Sequence, residues 1–138
     1  MLFEAHFVAG ADQGPAIIHR DYHDYGGYLY AVCDEGASSM QIMDLSYLPD
    51  SIPVVYDDDA LFVTAHNIFI DESTAKMYVC GPSGFPSMLV LSLANPSNPT
   101  LLYEYIETPE VHDVYAKDDV VFVHAGNGYG LNVFYFLN

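Results

Sequence analysis

Apolar residues in this chain fall in short runs separated by turn-forming residues. "YLYAVC", "MQIMDL", "KMYVC", "MLVLSL", "VFVHA" and "LNVFYF" are such runs. They lack the i, i+3, i+4, i+7 spacing of an amphipathic helix and are too short for independent helices, so the pattern predicts strands. Gly26-Gly27, Asp71 to Ala75 and Lys117 to Asp119 stand at hairpin tips, where Gly and Asp tolerate the backbone angles of tight turns. "SYLPDSIP" and "ANPSNP" place prolines where they end a ladder and stiffen a connection.

The pattern repeats. "HRDYHDYGGYLYAVCDEG" from His19, "AHNIFIDESTAKMYVCG" from Ala65 and "VHDVYAKDDVVFVHAG" from Val111 bring Arg20-Asp21, His66-Asn67 and His112-Asp113 into register at steps of 46 residues. Each copy reads as a basic or His residue, then Asp or Asn, a strand, a turn, a second strand, a glycine and a third strand. In the first two copies a fourth strand follows, near Val54–Tyr56 and Leu101–Ile106. Four short antiparallel strands per ~40–50 residues predict an all-β fold of β-propeller blades. The expected division is 1–18 as the tail of a preceding blade with "AHFVAG" as a strand, blades at 19–64 and 65–110, and an incomplete blade at 111–138. A closed propeller takes at least about four blades. About three make an incomplete ring, so the remaining blades are expected from a longer chain or from assembly.

Composition narrows the function classes. There are 19 acidic residues against 3 basic ones, a net charge of −16. Nucleic-acid binding needs clustered Lys and Arg, and anionic membrane surfaces would repel this chain. No apolar run approaches the ~20 residues that span a bilayer. "MLFEAHFVAGADQG" lacks the basic and long apolar regions of a signal peptide. Cys33 and Cys80 form neither a disulfide framework nor a zinc-type spacing; they are expected at equivalent positions, with Ala125 third, as small buried hydrophobes. Asp57-Asp58-Asp59 and Asp118-Asp119 lack the EF-hand pattern and are expected in solvated loops. The Gly/Ser loops lack the Lys and following helix of a phosphate-binding loop, and there is no G-x-S-x-G elbow.

Six residues carry the candidate chemistry: Arg20, Asp21, His66, Asn67, His112 and Asp113. A unique catalytic base would not recur at a fixed offset, so the structural expectation is a set of hydrogen-bonded ties between strand, turn and next blade. The functional expectation is that equivalent residues on innermost strands gather at a channel mouth, where they would bind a divalent cation or a small polar ligand. His19, His23 and His124 break the repeat. His23 sits where Phe69 and Tyr115 stand, which suggests ring packing, and His124 is expected as a hydrogen-bonded core or edge residue.

Together, "HRDYHDYGGYLYAVCDEGASSMQIMDLSYLPD", "AHNIFIDESTAKMYVCG", "LVLSLANPSNPTLLYEY" and "VHDVYAKDDVVFVHAGNGYGLNVFYF" resemble the LVIVD-repeat proteins, in particular the bacterial choice-of-anchor B family, from about Gly14 to Phe136. The resemblance implies a β-propeller in a secreted or surface-attached bacterial protein, and it transfers no catalytic residue. Ser92 replaces the acidic residue found at Asp44, and "FYF" replaces "MDL" in the third copy. Two functional classes follow. One is an extracellular binding or interaction scaffold whose partner is a protein or small polar ligand. The other is a propeller enzyme, a hydrolase or lyase, or a metal-binding module using the channel-mouth residues.

Overall fold

The computed structural model describes residues 6–12, 16–84 and 86–136. They are all-β: β1 (Arg20–Tyr25), β2 (Tyr28–Cys33), β3 (Met40–Asp44), β4 (Val54–Asp58), β5 (Asn67–Asp71), β6 (Lys76–Cys80), β7 (Met88–Ser92), β8 (Thr100–Tyr105), β9 (Val111–Lys117), β10 (Val120–Ala125) and β11 (Gly130–Tyr135). Three antiparallel sheets result, ordered β1-β2-β3-β4, β5-β6-β7-β8 and β9-β10-β11. No α-helix occurs among the described residues.

The hairpin tips follow from their residues. Gly26 and Gly27 (φ 58° and 85°) and Asp118 and Asp119 (φ 52° and 64°) take the left-handed backbone that a two-residue turn matched to strand twist requires. The middle tip, residues 72–75, is longer and is closed by Asp71, which accepts from the Ser73 N–H at 3.1 Å, Ser73 Oγ at 2.7 Å and Thr74 Oγ1 at 3.0 Å. Burial, the largest influence, pushes the Asp71 carboxyl upward. The bonds from Ser73, Thr74 and the Asp119 N–H outweigh it, so its pKa lies below the usual value.

That longer tip shifts the register. His23 pairs with Tyr30, Phe69 with Tyr78 and Tyr115 with Phe122. The rings of His23, Phe69 and Tyr115 form a row across the sheets, with centroids 5.8 Å and 5.2 Å apart, so His23 does occupy a ring-packing position. The expected equivalence of Cys33 and Cys80 is corrected. Asp21 pairs with Val32, Asn67 with Cys80 and Asp113 with His124, so the counterparts of Cys80 are Val32 and His124. Both thiols are free and buried, and burial pushes the Cys80 thiol well above its ordinary pKa.

The sheets stack face to face, with the first strands β1, β5 and β9 as neighbours. The first seam packs Tyr30, Val32, Met40 and Ile42 against Ile68, Ile70, Met77, Val79, Leu89 and Leu91, with Phe62 added from the β4–β5 connection. The second seam packs Tyr78, Cys80, Met88, Val90 and Tyr105 against Val111, Val114, Ala116, Val121 and Val123. The middle sheet is thus covered on both sides, which explains why β6 is buried at every position and why β7 reads as a continuous apolar run. β9 and β10 alternate buried with more exposed residues, as strands with one covered face should. The far face of the third sheet leaves Tyr115, Leu131, Val133 and Tyr135 exposed.

Both fourth strands carry the same irregularity. The register slips between Ile42 and Met43 opposite β4, and between Val90 and Leu91 opposite β8, leaving Val55 and Leu102 as the extra residues of matching β-bulges. Two expectations fail here. Asp57 and Asp58 lie in β4, where the Asp57 carboxylate accepts from Ser39 Oγ and, at 3.0 Å, from Gln41 Nε2; only Asp59 lies in a loop. Of "AHFVAG", residues 6–10 form no strand, and Ala5 lies outside the described residues. The Gln41 side chain replaces a ladder there: Nε2 donates to the Ala9 carbonyl at 3.2 Å and Oε1 accepts the Ala11 N–H at 3.1 Å.

Candidate functional site

Strand alternation divides the six sequence-predicted residues into two sets that face opposite ways. Asp21 and Asn67 reach forward to the next sheet. Asp21 Oδ2 accepts the Ile68 N–H at 2.8 Å, and Asn67 Nδ2 donates to the His112 carbonyl at 2.9 Å. The ties expected at this position are therefore present. Asp113 is the third of the set and turns back to accept the N–H of Val114 at 2.8 Å. Because that N–H is the counterpart of the Ile68 N–H, Asn67 Oδ1 is left without a donor among the described residues.

Arg20, His66 and His112 reach backward. Arg20 donates from its guanidinium to the Asp12 carbonyl, so close to Gly10 that any Cβ there would collide with it. His66 Nδ1 lies 2.8 Å from Asp34 Oδ2 at the end of β2. His112 is the extra residue of a bulge, since Asp113 pairs with His124 and Val111 with Ala125. A bulge re-aims its side chain. The His112 ring meets His66 at 4.5 Å and His124 at 5.7 Å between centroids. His124 belongs to the exposed face of the third sheet, not to a core.

Of the six residues expected at a channel mouth, His66 and His112 line one groove of about 410 Å³, together with Asp34 and Glu110. Gly81 closes one wall. It has φ 55°, and an added Cβ would stand 3.1 Å from His66 Cβ and 3.6 Å from the Val111 carbonyl, so glycine is required there. Asp21, Asn67 and Asp113 alternate with Arg20, His66 and His112 along their strands and do not line the groove; Asp21 and Asn67 are the ties.

Sequence reasoning missed Asp34, Glu35 and Glu110, and set His19 aside. Among the described residues, His19, Asp34 and Glu35 form the one group whose donor atoms all lie within 4.8 Å of one another. Glu35 is fixed by the His19 N–H at 3.0 Å, by His19 Nδ1 at 2.5 Å and by the Ile18 N–H at 3.2 Å. These bonds, the His19 N–H foremost, hold its carboxyl at about 2. The available signal was a departure from the repeat: the acidic pair Asp34-Glu35 stands where the other copies carry Pro82-Ser83 and Gly126-Asn127.

A carboxyl lowered by folding stabilises the native state above its unfolded pKa, and that stability is lost as pH falls through the folded value. In denaturant titrations the stability difference between wild type and Glu35→Gln is therefore expected to be fully present above about pH 4.5 and to shrink toward pH 2. A difference that stays constant across that window would contradict the assignment.

Compared with protein-family models, curated proteins and solved structures, the chain shows no match, so its site is read from its own residues.

Proposed function

We propose that the three sheets are consecutive blades of a β-propeller of the LVIVD-repeat type, and that the chain is a binding module of a secreted or surface-attached bacterial protein. The observation that carries the reading is the recurrence of one inter-sheet contact: first strands side by side, tied forward by Asp21 and then by Asn67 46 residues later. Such a stack sets equivalent residues along one rim. His66, His112, Asp34 and Glu110 there offer imidazole and carboxylate groups to a protein or a small polar ligand. Further blades, from a longer chain or another molecule, complete the ring.

The test is a membrane-impermeant amine-reactive cross-linker on intact cells that carry the protein, since Lys117 is exposed. The reading expects a discrete cross-linked partner before lysis. Labelling only after lysis would contradict the surface location, and labelling before lysis with no cross-linked partner would exclude a protein as the ligand.

A second reading, a divalent-cation site, is favoured by the His19, Asp34 and Glu35 group. One imidazole and two carboxylates suit a first-row divalent metal, and His66 orients Asp34 from behind. Zinc should then raise the melting temperature of the wild type and leave Glu35→Gln unmoved; equal shifts in both would exclude this site.

A further inference from the structure

The two seams are built from equivalent positions but are not filled alike. In the first, Leu89, Leu91 and Leu93 of the middle sheet and Phe62 of the β4–β5 connection belong to one apolar core. The pairing of Ile42, Val90 and Val133 with Tyr30, Tyr78 and Phe122 places Asn132, Phe134 and Phe136 as the counterparts of those three leucines. At the repeat offset of 46 residues, Thr108 takes the place of Phe62. A polar side chain thus replaces Leu89, and a short one replaces an aromatic plug. The second seam holds a cavity of about 600 Å³ with aromatic walls, while Phe62 and the three leucines pack together in the first.

Two polar atoms at this cavity, Tyr78 Oη and Asn132 Nδ2, are buried and have no hydrogen-bond partner among the described residues, and the buried Tyr105 Oη has only the Thr108 side chain beside it. Leaving such groups unpaired costs about 1–3 kcal/mol each. The counterpart of Tyr78 shows the contrast, since Tyr30 Oη donates to the Pro96 carbonyl at 2.9 Å. An apolar, aromatic-walled cavity with a few convergent polar groups is the usual build of a small-molecule site.

We propose that the second seam binds a small aromatic molecule carrying a hydrogen-bond acceptor. The ring fills the space left by Thr108 against Phe134 and Phe136. Small rotations of Tyr105 and Asn132 bring their donors to the acceptor, and pairing a buried donor removes the cost of leaving it unsatisfied. Anions are disfavoured by Glu107 at the cavity and by the net charge of −16. This inference does not depend on the propeller reading.

The probes are benzamide, toluene and benzoate, followed by ligand-observed NMR. Benzamide is expected to bind the wild-type chain at least about fivefold more tightly than toluene or benzoate. Tyr105→Phe and Asn132→Leu should each weaken benzamide by about fivefold while keeping the fold, because Leu is the residue used at the equivalent first-seam position. Thr108→Phe, which restores the plug, should abolish binding. The proposal is overturned if benzamide does not bind the wild type. Binding unchanged by both Tyr105→Phe and Asn132→Leu overturns it as well.

Discussion

Replacing Phe62 with alanine is expected to lower the unfolding free energy by about 3–5 kcal/mol, the range for emptying an aromatic site in a packed core. Phe62 is 7% exposed and packs in the first seam with Leu89 and Leu91. It arrives on a connection, not a strand, so the surrounding ladders hold their positions and leave a void. Thr108→Ala at the equivalent second-seam position should cost only about 1 kcal/mol, the loss of the bond from Thr108 Oγ1 to the Glu110 carbonyl at 3.2 Å, since no aromatic ring is removed. Urea titration measures both as a shift in midpoint at unchanged slope. Near-equal losses for the two variants would mean that the seams are packed alike, contrary to the structure.

The second large effect is expected at the only lysine in β6. Lys76 has a side chain 6% exposed, with its ammonium 2.7 Å from Asp119 Oδ1 and 5.0 Å from the centre of the Phe136 ring. This pair joins the middle sheet to the third, next to the Asp118 carboxylate that accepts from Ser73 Oγ at 2.9 Å. Removing the partner of a buried charge is worse than removing the charge itself, because the ion is left without compensation. Asp119→Gly keeps the left-handed backbone at φ 64° and should cost about 2–3 kcal/mol, less than for a fully buried pair because Asp119 is 31% exposed. Lys76→Met retains the apolar stem and should cost clearly less, and the same denaturation series reads both. The reverse order would mean that Lys76 is solvated.

The repeat was legible because it is written in local chemistry. Gly26-Gly27 and Asp118-Asp119 specify two-residue turns, and apolar runs of strand length lie on either side. The offset of 46 residues then brought Asp21 and Asn67 to matching ties. Register was less accessible. Matching "YLYAVC" to "KMYVC" by residue type aligned the cysteines, whereas the longer tip at residues 72–75 sets Cys80 opposite Asn67. Direction was hidden as well: Arg20, His66 and His112 repeat with the ties but point the other way, because neighbours in a strand face opposite sides. The groove and the group of His19, Asp34 and Glu35 rest on contacts across space, Asp34 with His66 and Glu35 with His19, for which no repeat spacing exists. The β9 bulge that aims His112 was equally invisible, since a bulge is a property of a pair of strands.

The central claim is that equivalent side chains of successive sheets stand next to one another along the stack. Nuclear Overhauser contacts between aromatic rings test it most directly. Cross-peaks are expected between His23 and Phe69 and between Phe69 and Tyr115, whose ring centroids are 5.8 Å and 5.2 Å apart. His23 and Tyr115, separated by the middle sheet, should show none. Absence of both expected cross-peaks, or a direct His23–Tyr115 contact, would contradict the stacked-sheet account.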